Sequence, residues 1–282
     1  MSKSLRNLLI VLLLCLAVLT GIIFNETLTG KDRLRVRLVT LSDYRIAPAL
    51  DGLRIAVISD LHYNTVNHDR VLKALNKLAE LNPDVVIFLG DVLDSEDLLG
   101  EAEIGELVSA LSEVPAPYGK FAVLGDEDLL NVSIETLASQ TLTKGGFEVL
   151  SNTSIKLTKG SSSYIRLVAL ESQGGGFPDA VSAFAGANEN EYIIVLCHTP
   201  DSLENIYGYP IDYMLSGHTL GGQVNIPLIG SLRSIEYGQT YNTGIYRLEG
   251  MVLDINGGIG TMGMDLRFFS PAEIVIYQLK AQ

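Results

Sequence analysis

The chain has 282 residues, 47% of them hydrophobic, which is enough for one large core with an appendage. Its 33 acidic against 20 basic residues leave a formal charge of -13. Such a charge repels a phosphate backbone and argues against nucleic acid as a bulk partner, although a bound metal would reverse the field locally. The two cysteines, Cys15 and Cys197, lie in an apolar N-terminal run and at the end of a strand-like run, so no disulfide-stapled scaffold is expected.

The first predicted element is "LLIVLLLCLAVLTGIIF", Leu8 to Phe24, uncharged and preceded by Lys3 and Arg6. A buried core helix is the alternative, but the run is apolar all round and precedes every plausible domain strand. No small-x-small cleavage pattern follows it, and Cys15 lacks the small residue that a lipoprotein signal needs before it. The expectation is an uncleaved anchor over residues 1–30, a domain over 31–282, and a cell-membrane location. Lys31, Arg33, Arg35 and Arg37 on the far side argue for the opposite topology when simply counted. They are discounted because "RLRVRLV" alternates charge with aliphatic residues, as a domain strand with a solvated face does, and the domain is expected to be extracytoplasmic.

From Leu53 onward one local plan recurs: a short aliphatic run, a glycine or serine step, then a carboxylate or imidazole. "LRIAVIS" leads to Asp60 and His62, "VVIFLG" to Asp91, "FAVLG" to Asp126, "YIIVLC" to His198 and "YMLSG" to His218. Runs apolar throughout suit strands buried on both faces. Val71, Leu72, Leu75, Leu78 and Ala79 recur at helical spacing and end before Asn82-Pro83, which makes the first two strands a β-α-β unit. Further helices are predicted over 103–111 and 129–140. After Gly145 strands dominate, at 164–170, 192–197, 244–248, 251–255 and 274–279, with a flexible patch at "QGGGFPD", 173–179.

Ligands collect outside the carboxyl ends of such strands, where loops converge. A lone Asp there is usually a cap, and a lone His a hydrogen-bonded loop residue. Their recurrence at equivalent positions points instead to a metal site. Mixed imidazole and carboxylate donors suit Mn, Fe, Co, Ni or Zn, and a carboxylate can bridge two such ions.

The motifs carry a specific resemblance. "SDLH" (59–62), "GDVLD" (90–94), "GDED" (125–128), "CHTPD" (197–201) and "GHTLGGQ" (217–223) resemble the calcineurin-like metallophosphoesterases. "GGIGTMGMDLRFFSPAEI" (257–274) is similar to the C-terminal signature of their bacterial, membrane-associated, YkuE-like branch. The resemblance implies an α/β fold of four αββα layers and a dinuclear site, holding one or two divalent ions per chain, that hydrolyses phosphomonoester, phosphodiester or pyrophosphate bonds. It makes Asp91 the bridging ligand. Asp126, where the family has Asn, would complete one shell with His198 and His218, while Asp60 and His62 would bind the other ion.

Besides Asp126, two positions depart from the family pattern. Leu220 stands where the second subsite's remaining histidine belongs, and it has no lone pair to donate. Glu127 stands where the family has its catalytic histidine. An ionised Glu127 repels an anionic phosphoester unless burial and its acidic neighbours raise its pKa enough for it to act as an acid. Alternatively, it turns inward and replaces the missing ligand. Two function classes stay open: a metal-dependent phosphoesterase with a modified site, and a catalytically impaired descendant that binds metal, a phosphorylated ligand or a protein partner. The loop "SLRSIEYGQTYNTG", 231–244, could serve either. A phosphorylated small molecule, or a lipid or envelope phosphoester, is the expected substrate class.

Four further features are weighed. His68 reads as a capping or solvated residue, Asp94 as a turn cap or a residue orienting a ligand, and Arg267 as a packing residue or a phosphate fork. "GGIGTMG" lacks the lysine of a phosphate-binding P-loop and reads as a loop approaching the site.

Overall fold

The computed structural model describes residues 2–94, 99–160, 162–227, 229–232 and 235–282. Within the 231–244 loop, Arg233 and Ser234 therefore lie outside the described residues. The chain runs α1 (Lys3–Thr29), β1 (Leu34–Asp43), β2 (Arg54–Ile58), α2 (His68–Glu80), β3 (Val85–Phe88), α3 (Glu101–Glu113), β4 (Lys120–Ala122), α4 (Val132–Lys144), β5 (Glu148–Val149) and β6 (Thr153–Thr158). It continues through β7 (Tyr164–Ala169), α5 (Ala180–Ala183), β8 (Ile193–Leu196), β9 (Tyr213–Ser216), β10 (Asn225–Ile226), β11 (Gly230–Ser231), β12 (Gly244–Leu248), β13 (Met251–Ile255) and β14 (Ala272–Ala281).

Two six-stranded sheets, in the orders β1-β14-β2-β3-β4-β5 and β12-β13-β9-β8-β7-β6, stack face to face. β2 to β5 run parallel in one sheet, and β13, β9, β8 and β7 run parallel in the other. Ile55, Val57, Ile87 and Val275 of the first sheet share an inner cluster with Leu167, Ile194, Leu196 and Leu215 of the second. Outside the first sheet, Val71, Leu75 and Leu78 of α2, Leu107 and Leu111 of α3 and Leu142 of α4 pack on Ala56, Val86 and Phe88. Outside the second, Ala183, Phe184, Leu203 and Ile206 form a thinner cover over Val168, Val195 and Met214. Each fully buried Leu or Ile side chain contributes roughly 1.5–3 kcal/mol, and strands apolar on both faces require helices on each side. The architecture is the αββα sandwich.

Two elements depart from the expected course. α4 starts at Val132 rather than 129 because the Asn131 side chain accepts from the N–H groups of Ser133 and Ile134, capping the helix there. β1 is a strand beside β14, but its basic side chains are not a bare solvated face. Arg37 forks onto Asp254 at 2.8 and 2.7 Å and reaches Glu273 at 3.1 Å, and Arg35 pairs with Glu273 at 2.7 Å.

α1 is long and apolar enough to cross a membrane, and none of its most apolar stretch is buried against the domain. Its last turn is docked. The buried Glu26 carboxylate accepts from Arg33 and from the backbone N–H of Phe269.

Candidate metal centre

The parallel strands β2, β3, β4, β8 and β9 end in the loops that carry Asp60 and His62, Asp91, Asp126, His198 and His218. Hydrogen bonds stitch these loops across the gap between the sheets. The His218 N–H donates to both oxygens of Asp60 at 3.0 and 3.1 Å, and the His198 ring to the carbonyl of Leu89 at 2.6 Å. Close approach explains two glycines. A Cβ at Gly125 would lie 2.1 Å from Asp91 Oδ1, and one at Gly217 would lie 1.8 Å from Ser59 Oγ.

Backbone strain gathers in the same place. Asp60, His62, Asp91, His218, Leu220 and Gln223 all have φ between 40° and 72°, a region unfavourable to side chains with a Cβ. Such conformations persist only where the surroundings impose them, and they mark functional segments.

The donors form two groups that share Asp91. Ligand atoms of Asp91, His198 and His218 lie within 4.8 Å of one another, as do those of Asp60, His62 and Asp91. His198 Nε2 is 3.0 Å from Asp91 Oδ2, and His62 Nε2 is 3.6 Å from that oxygen and 3.9 Å from Asp60 Oδ1. Donors about 2.1 Å from a common ion are roughly 3–4 Å apart, so these spacings fit one. Both Nε2 atoms are buried and make no hydrogen bond of acceptable geometry, which suits atoms that ligate a metal once deprotonated.

Ring orientation supports the fit. A carbonyl can only accept, so His198 Nδ1 carries its proton toward Leu89 and leaves Nε2 free to ligate. His218 Nε2 likewise donates to the Glu236 carbonyl at 2.6 Å, which turns Nδ1 inward, 3.4 Å from Asp126 Oδ2. Asp126 sits at the edge of this group, is 22% exposed, and accepts from the Ser172 hydroxyl.

Electrostatics follow burial and charge. Burial opposes ionisation of Asp91, but the neighbouring His198, with His62 and His218, holds its carboxyl well below the usual range. Burial pushes Asp126 up, with Asp91 adding to the push and His198 and His218 opposing it. Burial favours neutral His198, yet Asp91 raises it well above its ordinary value.

The two anomalous positions differ in setting. Leu220 is fully buried, belongs to none of the three apolar clusters, and presses Cδ2 toward Gly258 beside Asp60. Glu127 is half-buried; its N–H donates to Asp91 Oδ1 at 3.0 Å, and its side chain is in neither group of candidate ligands.

Other supports carried weak or no sequence signal. Asp128 is buried and accepts from the N–H groups of Asp91, Val92 and Gly125 at 2.8–3.0 Å, clamping two ligand loops together. Burial and Asp91 push its carboxyl up to about 7 against those donors. The acid was visible in "GDED", but its role depends on a loop 37 residues away. The Glu236 carbonyl has no side-chain signal at all. Asp94 accepts from Asn64 at 2.9 Å and holds the loop after His62 rather than a ligand, whereas His68 opens α2 partly exposed. Arg267 is fully buried and donates to the carbonyls of Gly257, Gly260, Leu220 and Ser270, so it ties loops together instead of meeting a phosphate from the surface.

Comparison with known proteins places this geometry among relatives. Residues 53–222 match the family model described as calcineurin-like phosphoesterase. The chain is 29% identical over 243 residues to the uncharacterized metallophosphoesterase YkuE of Bacillus subtilis, covering 86% of this chain and 84% of that one. It is 27% identical to the UDP-2,3-diacylglucosamine pyrophosphatase LpxG of Chlamydia muridarum, covering 80% and 83%. A transmembrane protein with a metallophosphoesterase domain from Danio rerio is 26% identical, covering 84% of this chain and 55% of that protein.

Proposed function

The chain belongs to the calcineurin-like phosphoesterase family, and from that premise we propose that it hydrolyses a phosphoester or pyrophosphate bond of a membrane-borne substrate at a divalent-metal site centred on Asp91. The observation that carries this reading is the single carboxylate shared by two groups of buried donors.

Asp91, His198, His218 and Asp126 would hold one ion, and Asp60, His62 and Asp91 the other, from among Mn, Fe, Zn, Co and Ni. A bound divalent ion supplies Lewis acidity toward phosphoryl oxygens and an acidified water. The chain fixes the donors: Leu89 and Glu236 set the two imidazole tautomers, and Asp128 fixes the Asp91 backbone. In this reading Glu127, whose backbone N–H donates to the shared carboxylate, would be the residue that exchanges a proton with a leaving oxygen.

Two findings support a lipid phosphoester as substrate: the LpxG relative acts on UDP-2,3-diacylglucosamine, and this chain carries α1. The four basic residues after α1 are each ion-paired within the fold, which supports reading topology from Lys3 and Arg6 and placing the domain outside the cytoplasm.

Leu220 favours a second reading, a descendant that retains metal or ligand binding without turnover, because an apolar side chain fills a ligand position. The test is hydrolysis of bis(p-nitrophenyl) phosphate and of a diacylated UDP-sugar by the full chain with Mn²⁺. Turnover that is lost in Asp91→Asn supports the enzyme. An inert native chain that gains about two to four orders of magnitude in the Glu127→His/Leu220→His variant identifies the descendant.

A further inference from the structure

The end of α1 is clasped, not merely attached. Glu26 accepts from Phe269 N–H at 3.3 Å, Lys31 pairs with Asp265, and a Cβ at Gly30 would lie 2.2 Å from the Arg267 carbonyl oxygen. Arg70 of α2 meets the same Asp265 at 2.7 Å. The 262–269 loop is thus fixed against the point where the helix leaves the domain.

That loop is bonded to a hairpin. Phe268 N–H donates to Gln223, Asn225 N–H donates to Phe268, and Leu232 N–H donates to Val224, all at 2.8–3.0 Å. The hairpin and loop expose apolar side chains: Ile229 is 73%, Leu232 62% and Met264 64% exposed. Gln223 Nε2 binds the carbonyls of Met262 and Met264, so this edge is built on the segment that carries His218 and Leu220.

Depth decides what covers this edge. The apolar run of α1 ends at Phe24, and at about 1.5 Å per residue Glu26 to Lys31 lie within roughly 10 Å of it along the axis. Polar residues just past a spanning run sit in the headgroup layer, and so does whatever is bonded to them. Apolar tips on segments bonded to the helix end match that layer, where side chains bury about 5–10 Å into the acyl boundary. Phe177, also exposed at 86%, lies outside the α1 end, the hairpin and the 262–269 loop.

We infer that strands β10 and β11, with Ile229 and Leu232, and loop 262–269 form a rim seated in the lipid interface around the exit of α1, so that the domain rests on the bilayer by the edge that supports its candidate metal loops. This rests on the reading of α1 as a membrane anchor. The chain contains no tryptophan, so single Trp reporters are clean. The full chain carrying Leu14→Trp, Ile229→Trp, Leu232→Trp or Phe177→Trp is reconstituted in phosphatidylcholine and phosphatidylglycerol vesicles with lipids brominated near the headgroup end of the acyl chain. Emission at Ile229→Trp and Leu232→Trp is expected to fall about twofold or more, with Phe177→Trp unchanged. If the rim reporters behave like Phe177→Trp while Leu14→Trp is quenched, the rim is overturned and the anchor stands. Aqueous iodide then shows whether water or a second copy of the chain covers the edge. If Leu14→Trp also escapes lipid quenching, the anchor reading fails and takes the rim with it.

Discussion

The two groups of candidate donors share Asp91 but are unequal. On one side, His198 and His218 are each locked by a backbone carbonyl, and Asp126 is held by Ser172 at the edge. The other holds Asp60 and His62, while Leu220, fully buried with a left-handed backbone at φ 53°, offers no side-chain donor. The contrast separates scaffold from chemistry: loop geometry is imposed by packing and hydrogen bonds, and it is kept at Leu220, where the side chain offers no donor.

The largest test removes what the halves have in common. Asp91→Asn should lose about three orders of magnitude in turnover and deplete both subsites, because several kcal/mol of charge stabilisation depend on that carboxylate. Elemental analysis that still finds an ion at one half would show that the subsites do not share it. A smaller effect distinguishes the first half. With no metal bound, His198 is held above its ordinary value by Asp91, so its proton must leave for Nε2 to ligate. Apparent metal affinity should therefore weaken up to about tenfold per pH unit as pH falls below that raised value, and level off above it. Titration calorimetry in buffers of different ionisation enthalpy reads the released proton; no release at any pH would contradict the assignment.

The smallest effect belongs to the second half. Leu220→His should raise its occupancy severalfold while destabilising the metal-free domain by about 1–3 kcal/mol, the cost of burying a polar ring without a partner. Added Mn²⁺ should reverse the stability loss in a thermal melt. A melt indifferent to the ion would place the new imidazole away from Asp60 and His62.

Much of this centre was legible because strand period and loop chemistry are local. Apolar runs ending in Asp or His mark strand ends, and their order along the chain resembles a family with one known arrangement. What was not legible depends on partners remote in sequence. Arg267 could be a phosphate fork or a packing residue by composition; only burial among four carbonyls decides for packing. Arg35 and Arg37 alternate like a solvated strand face, yet Asp254 and Glu273, more than 200 residues on, turn them into inter-element ties.

By itself, then, the sequence determined the anchor-like run, the buried parallel strands and the carboxylates and imidazoles at their ends, since each is a property of a short window or of an ordered motif. Tertiary structure alone decided that Asp91 stands between two donor groups, that Asp128 clamps its loop, and that the last turn of α1 is held by the 262–269 loop. Those facts are distances between segments far apart in the chain, fixed when two sheets pack face to face and bring their strand ends to one edge.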